Sequence, residues 1–170
     1  MGYHLYHFYE DDEKLAQILA RFFDEGLRKL EYCIWIPREG ISHSRAINLL
    51  KKHIPDIEDF LLSEQMDIVP FETWAKNEDG TFDRNRLKNK WMSKYKEVME
   101  KGFIMMRAVS DPSSLAKKHW DEFMDFEATL NDEANDMNLT AVCTYQGKLY
   151  KPSEIQTILK HHFCPLTPGP

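Results

Sequence analysis

Glycine is scarce in this chain, with seven in 170 residues, and none stands where a first strand turns into a first helix. The opening GYHLYHFYEDDEKLAQILARFF, residues 2–23, reads as an aromatic strand, a tight turn and an apolar helix. A phosphate loop at such a turn needs glycines, so that bare backbone amides can wrap the phosphates, and a lysine to neutralise them. The turn Tyr9-Glu10-Asp11-Asp12 has neither and presents three carboxylates instead. Those charges repel phosphate and argue against ATP binding of the usual kind.

Positive charge is also in deficit. A net charge of −6 argues against direct nucleic-acid binding and against anionic membrane surfaces, because both require a positive face. No apolar run approaches the roughly 20 residues of a membrane span. The first residues lack a secretion signal, and Tyr6 stands where a myristoylation site would need Ser or Thr. Three widely spaced cysteines, Cys33, Cys143 and Cys164, do not make a disulfide framework and fit a reduced compartment. The expected location is the cytoplasm.

What is present is a regular alternation. β-like runs are expected at Tyr3 to Tyr9, Tyr32 to Ile36, Asp67 to Phe71, Phe103 to Val109 and Leu139 to Tyr145. Between them the 3.6-residue period of apolar residues predicts helices from about Asp12 to Lys29, Ser42 to Lys52, Ile57 to Leu62, Asp83 to Lys101 and Leu115 to Asn135. A last helix starts at Pro152 and runs towards His161. Several runs are continuously apolar, as in strands covered on both faces. The expected fold class is α/β: one three-layer α/β/α sandwich with a mainly parallel sheet, over residues 1–164, and a frayed tail over 165–170.

In such a sheet, ligands bind beyond the carboxyl ends of the strands, here at residues 7–10, 37–40, 71–74, 110–111 and 144–145. Two charges stand where charges are costly. Arg107 lies inside an apolar run, and Glu127 lies on the apolar side of its helix beside Phe123, Met124 and Leu130. If buried, each needs a partner: they pair with each other in a core salt bridge or meet a polar ligand, the remaining reading being simple solvent exposure. Glu127 has no evident nucleophile beside it, so no catalytic role is assigned.

His4 and His7 point to opposite faces of one strand and do not share a metal. His4 reads as a hydrogen-bonded core histidine, and His7, nearer the strand end, as a ligand contact. Cys143 reads as a small core residue. His161, His162 and Cys164 lack zinc spacing because adjacent helical residues diverge. The seven Lys and Arg of residues 84–101 read as a solvated helix face. No metal and no cofactor is expected.

The opening GYHLYHFYEDDEKLAQILARFFDEGLRKLEYCIWI, together with GTFD, FEATLN and AVCTY, resembles the MEDS family, the methanogen/methylotroph DcmR sensory domain. The resemblance runs from Gly2 to about His161. The leading pattern G-x-H-x-x-x-F-Y is met by Gly2, His4, Phe8 and Tyr9, with Tyr6 where a cysteine is often found. C-x-Y is met by Cys143 and Tyr145, and F-E-A-x-L-N includes Glu127. The resemblance implies a RecA/KaiC-like fold with a degenerate phosphate loop, and a sensor of small organic compounds, C1 or hydrocarbon-derived, in prokaryotic signalling. With no room beside it for a DNA-binding or kinase module, it implies action through a separate signalling or DNA-binding protein, or through a homodimer.

The function expected is therefore a non-enzymatic sensory domain. Its ligand would be bound by His4, Tyr6, His7, Phe8, Tyr9, Arg107, Glu127, Cys143 and Tyr145, with an aromatic pocket of Tyr6, Phe8, Tyr9 and neighbouring strand ends in place of the phosphate site. The alternatives are a docking scaffold, marked by an exposed apolar patch in place of a cavity, and a divergent nucleotide-binding enzyme.

Overall fold

A computed structural model of the protein describes residues 2–167, apart from the side chains of residues 114–116, 131 and 132. The first strand, β1 (Tyr3–Tyr9), runs into α1 (Asp12–Arg28), and β2 (Tyr32–Ile36) follows. Asp11 caps α1 by accepting from the Lys14 amide, while Asp12 and Glu13 set negative charge at the positive end of its dipole. Ser42 likewise caps α2 (His43–Lys51) by accepting from the Arg45 amide. Next come α3 (Ile57–Leu62), β3 (Met66–Ile68), α4 (Phe71–Ala75) and α5 (Arg84–Glu100). The GTFD stretch forms the turn into α5, with Gly80 at φ +81° and Asp83 as the cap.

The second half contains β4 (Met106–Ser110), α6 (Ser113–Lys118), α7 (Trp120–Ala134), β5 (Leu139–Gln146), α8 (Pro152–Lys160) and β6 (Cys164–Pro165). Three boundaries differ from expectation. β3 stops at Ile68 because Pro70, with no amide to give to a ladder, precedes a short helix at Phe71. β4 begins at Met106 because Phe103 turns aside to pack edge-on against Tyr32, at 5.5 Å between centroids. The single helix expected over residues 115–135 is two, broken at His119.

The expected tail is in part a strand. β6 joins the edge beside β1, flanked by bonds from the Phe163 amide to the His4 carbonyl and from the Leu166 amide to the Tyr6 carbonyl, both 2.7 Å. Residues 168–170 of that tail lie outside the described residues.

All the strand pairings are parallel, in the order β3-β2-β4-β5-β1-β6. One face of the sheet is covered by α1, α2 and α3, the other by α4, α5, α7 and α8. The fold is the expected three-layer α/β sandwich. No helix among the described residues is long and apolar enough to cross a membrane. From β1 the chain crosses through α1 to β2 on one side, whereas from β5 it crosses through α8 to β6 on the other. The direction of winding therefore changes between β1 and β5, the pair that carries the chemistry described next.

Candidate functional site

Alternation along β1 divides its side chains between the two faces. His4, Tyr6 and Phe8 point towards α7 and α8, while Leu5 and Tyr9 point towards α1. Tyr6, Phe8 and Tyr9 therefore do not line one pocket. At the carboxyl ends of β1, β4 and β5 the strand-end residues bond to one another. The buried Tyr9 hydroxyl donates to Asp111 Oδ2 at 2.6 Å. Asp111 Oδ1 accepts from the Ser113 amide at 3.0 Å, and Ser113 Oγ accepts from the Gln146 amide at 3.2 Å. In the acidic turn, Asp12 is engaged by Arg38 and Arg45, each at 3.0 Å.

Arg107 and Glu127 do not pair. They lie on opposite faces of the sheet, because Arg107 points towards α1 and α7 covers the other side. Arg107 Nε donates to Glu31, and its Nη1 donates to the Phe22 carbonyl at 2.9 Å and to Glu25 at 3.2 Å. Its guanidinium also lies over the Phe22 ring. Arg107 is thus a clamp between helix and sheet. His7 is half-buried, and burial lowers its pKa against an opposing hydrogen bond with the Leu166 backbone.

Glu127 meets a different set of partners. Its Oε2 lies 3.2 Å from His4 Nε2 and 3.1 Å from His162 Nε2. Cys143 Sγ lies 3.4 Å from Glu127 Oε1 and 3.4 Å from His4 Nε2. One ligand atom from each of the four residues falls within 4.8 Å of all the others, and all four side chains are buried. β1 supplies His4, and its neighbour β5 supplies Cys143. The inward face of α7 supplies Glu127, and the turn between α8 and β6 supplies His162.

The centre is boxed by rings. The His4 and His162 rings are 4.1 Å apart, and Tyr6 and Tyr145 stand edge-on to His162 at 5.7 and 5.9 Å. Phe8 packs on Tyr145 at 5.7 Å. Gly2 packs closely at the amino end of β1, since a Cβ there would sit 2.0 Å from the Ala134 carbonyl oxygen.

The electrostatics follow from that enclosure. Burial alone would push the Glu127 carboxyl up, but its contacts with His162 and His4 hold it well below the usual carboxylate range. Burial, reinforced by the Glu127 charge, pushes the Cys143 thiol well up. His162 Nδ1 donates to the Ile158 carbonyl at 2.7 Å, which fixes the ring with Nε2 towards Glu127. Although Glu127 Oε2 is close to both Nε2 atoms, neither approach is aligned as a hydrogen bond. Glu127 Oε2, His162 Nε2 and the Tyr145 hydroxyl therefore have no hydrogen-bond partner among the described residues. Buried groups left in that state cost about 1–3 kcal/mol each.

Of the residues expected to form a site, His4, Tyr6, Phe8, Glu127, Cys143 and Tyr145 come together here, and His7, Tyr9 and Arg107 do not. His162 was weighed only against its sequence neighbours His161 and Cys164, so its approach to His4 was missed. The inward position of His4 and Glu127 was the available signal. The cavities described open elsewhere, one of about 330 Å³ at the amino ends of β2 and β3, lined by Tyr32, Met66, Asp67, Lys94 and Glu97 among others.

Residues 3–163 match a family model described as "MEDS: MEthanogen/methylotroph, DcmR Sensory domain". No curated protein matches the chain. Among solved structures, a KaiC-like protein from the hyperthermophilic archaeon Pyrococcus horikoshii is similar in fold, with a TM-score of 0.58 at 15% identity. The match covers 92% of this chain and 67% of that one.

Proposed function

Since this chain belongs to the MEDS family of sensory domains, we propose that it senses a small organic compound, C1 or hydrocarbon-derived, at the buried centre formed by His4, Glu127, Cys143 and His162. One observation carries the reading. The motif residues His4, Phe8, Glu127, Cys143 and Tyr145, scattered over the sequence, converge with Tyr6 on one enclosed site with unpartnered polar atoms. An apolar enclosure with a few convergent polar groups suits a small organic ligand. The Tyr145 hydroxyl is the free anchor for a ligand's polar group, and the rings of Tyr6 and Phe8 supply the apolar wall.

The α8–β6 segment is the natural cover. It contributes His162, and it ends in a two-residue edge strand next to β1. Short, peripheral segments of this kind open at low free-energy cost. A ligand that favours one position of this segment shifts the population and changes the adjoining surface. A difference of about 1–3 kcal/mol between its affinities for the two states suffices for signalling. The domain does this without catalysis. Its receiver is a separate signalling or DNA-binding protein, or a second copy of the chain in a homodimer.

The test is thermal unfolding against a panel of halogenated and methylated C1 compounds, oxidised short-chain hydrocarbons and Mg-ATP. A ligand at 100 times its Kd adds about 2.7 kcal/mol, a shift of a few degrees in a domain of this size. The expected result is a shift with an organic compound that is lost in Tyr145→Phe and kept in Tyr9→Phe. A shift with Mg-ATP alone would support the enzyme reading. A compound whose effect survives Tyr145→Phe would move the site elsewhere.

A further inference from the structure

From the same centre we infer that His4, Glu127, Cys143 and His162 form a four-ligand site for one divalent transition-metal ion of the zinc class. The inference shares its location with the sensory reading and rests on that reading only for the purpose the ion serves.

The argument begins with distances. An ion bound tetrahedrally at about 2.0–2.1 Å from nitrogen or oxygen and about 2.3 Å from sulfur holds its ligand atoms about 3.3–3.5 Å apart. Here the Glu127–His4 and Glu127–His162 separations are 3.2 and 3.1 Å, and Cys143 stands 3.4 Å from both Glu127 and His4. Four of the six separations among these donors thus match the edges of a coordination tetrahedron, with the histidines on Glu127 Oε2 and Cys143 on Oε1, and all four residues offer a donor within 4.8 Å of the others. Hydrogen bonds account for the two Cys143 spacings, but not for the approach of Glu127 Oε2 to His162 Nε2, two atoms that remain unpartnered.

The donor set selects the metal. Two imidazoles, a thiol sulfur and a carboxylate suit zinc and its neighbours, and are unsuited to calcium or magnesium, which take oxygen. The contact of His162 Nδ1 with the Ile158 carbonyl at 2.7 Å is the outer hydrogen bond that orients a metal-binding histidine. Charge also balances. One carboxylate and one thiolate neutralise a doubly charged cation, so the buried assembly carries no net charge. With four protein ligands the site is closed, in the manner of sites that hold a fold together rather than those that activate water. Its ion would tie the α8–β6 cover to β1, β5 and α7, the elements whose arrangement a sensor must couple.

The test is metal content and spectroscopy of the full chain. Protein from zinc-supplemented growth is expected to carry about one equivalent of zinc. A strong chelator should lower the Tm by several degrees, and zinc should restore it while magnesium does not. Replacement by cobalt(II) should give the intense visible bands of a tetrahedral site with a thiolate-to-cobalt band in the near ultraviolet. That near-ultraviolet band should vanish in Cys143→Ser. Should a substitution prevent folding, the wild-type cobalt spectrum decides alone. Substoichiometric zinc with no chelator effect and no tetrahedral cobalt spectrum would overturn the site. Because none of these readouts uses an organic ligand, metal binding without ligand response would sink only the sensory reading, and the converse only the metal site.

Discussion

Tyr9 and Asp111, 102 residues apart, are joined by a hydrogen bond of 2.6 Å that ties the carboxyl end of β1 to that of β4. Burial is the main cause raising the Asp111 pKa, and the Tyr9 and Ser113 contacts oppose it. A carboxyl raised in the folded state contributes most below the ordinary carboxylate range, and that contribution is lost as pH rises through its elevated pKa. Tyr9→Phe removes a donor that favours the ionised form and raises the Asp111 pKa further. The expected loss is about 1.5–3 kcal/mol at neutral pH, and it shrinks as pH falls and Asp111 protonates. Urea unfolding at a series of pH values checks this, and a loss independent of pH would contradict it.

Arg107 and Glu31 are both nearly inaccessible, at 11% and 12% side-chain exposure, so their contact is little screened by water. In a double-mutant cycle, Arg107→Met and Glu31→Gln should couple by about 0.5–3 kcal/mol. The coupling between Arg107 and Glu127 should be near zero, since the sheet separates them. Equilibrium unfolding of the single and double variants measures both.

Gly26 lies within α1, where alanine ordinarily stabilises a helix by about 1 kcal/mol. Here a Cβ would lie 2.6 Å from Arg107 Cδ and 3.2 Å from Cys33 Sγ. The Arg107 stem is held by Glu31 and has little room to move, so Gly26→Ala should destabilise the protein. In an Arg107→Ala background the same substitution should lose most of its cost. Thermal unfolding of the three variants tests the reversal.

Glu127→Gln removes the charge that faces two buried imidazoles, a change of the kind that costs about 3–5 kcal/mol. Because the Glu127 carboxyl is held well below the usual carboxylate range, the loss should persist from neutral to mildly acidic pH and shrink only in strong acid, where Glu127 itself protonates. Calorimetry across that range gives the sign directly. A variant as stable as the parent throughout would show that the charge has no role in holding α7 to the sheet.

Much of this was legible one element at a time. The acidic turn, the capping residues Asp11, Ser42 and Asp83, and the apolar stripes placed the first helices and strands because these depend on neighbours within a few residues. Alternation along β1 separated His4 from His7, and helical spacing turned Glu127 inward. β6 was not legible, since two residues carry no periodicity and their strand character comes only from the edge of β1.

The sequence by itself determined the layered α/β architecture, the acidic turn after β1 and the inward direction of His4, Glu127 and Cys143, all consequences of local periods and local charge. Only the tertiary structure decided which of these residues meet. Strand order laid β5 beside β1 and brought Cys143 to His4, the final crossover carried His162 over them, and the sheet divided Arg107 from Glu127. Partners separated by more than a hundred residues are chosen by topology, and no short-range pattern encodes it.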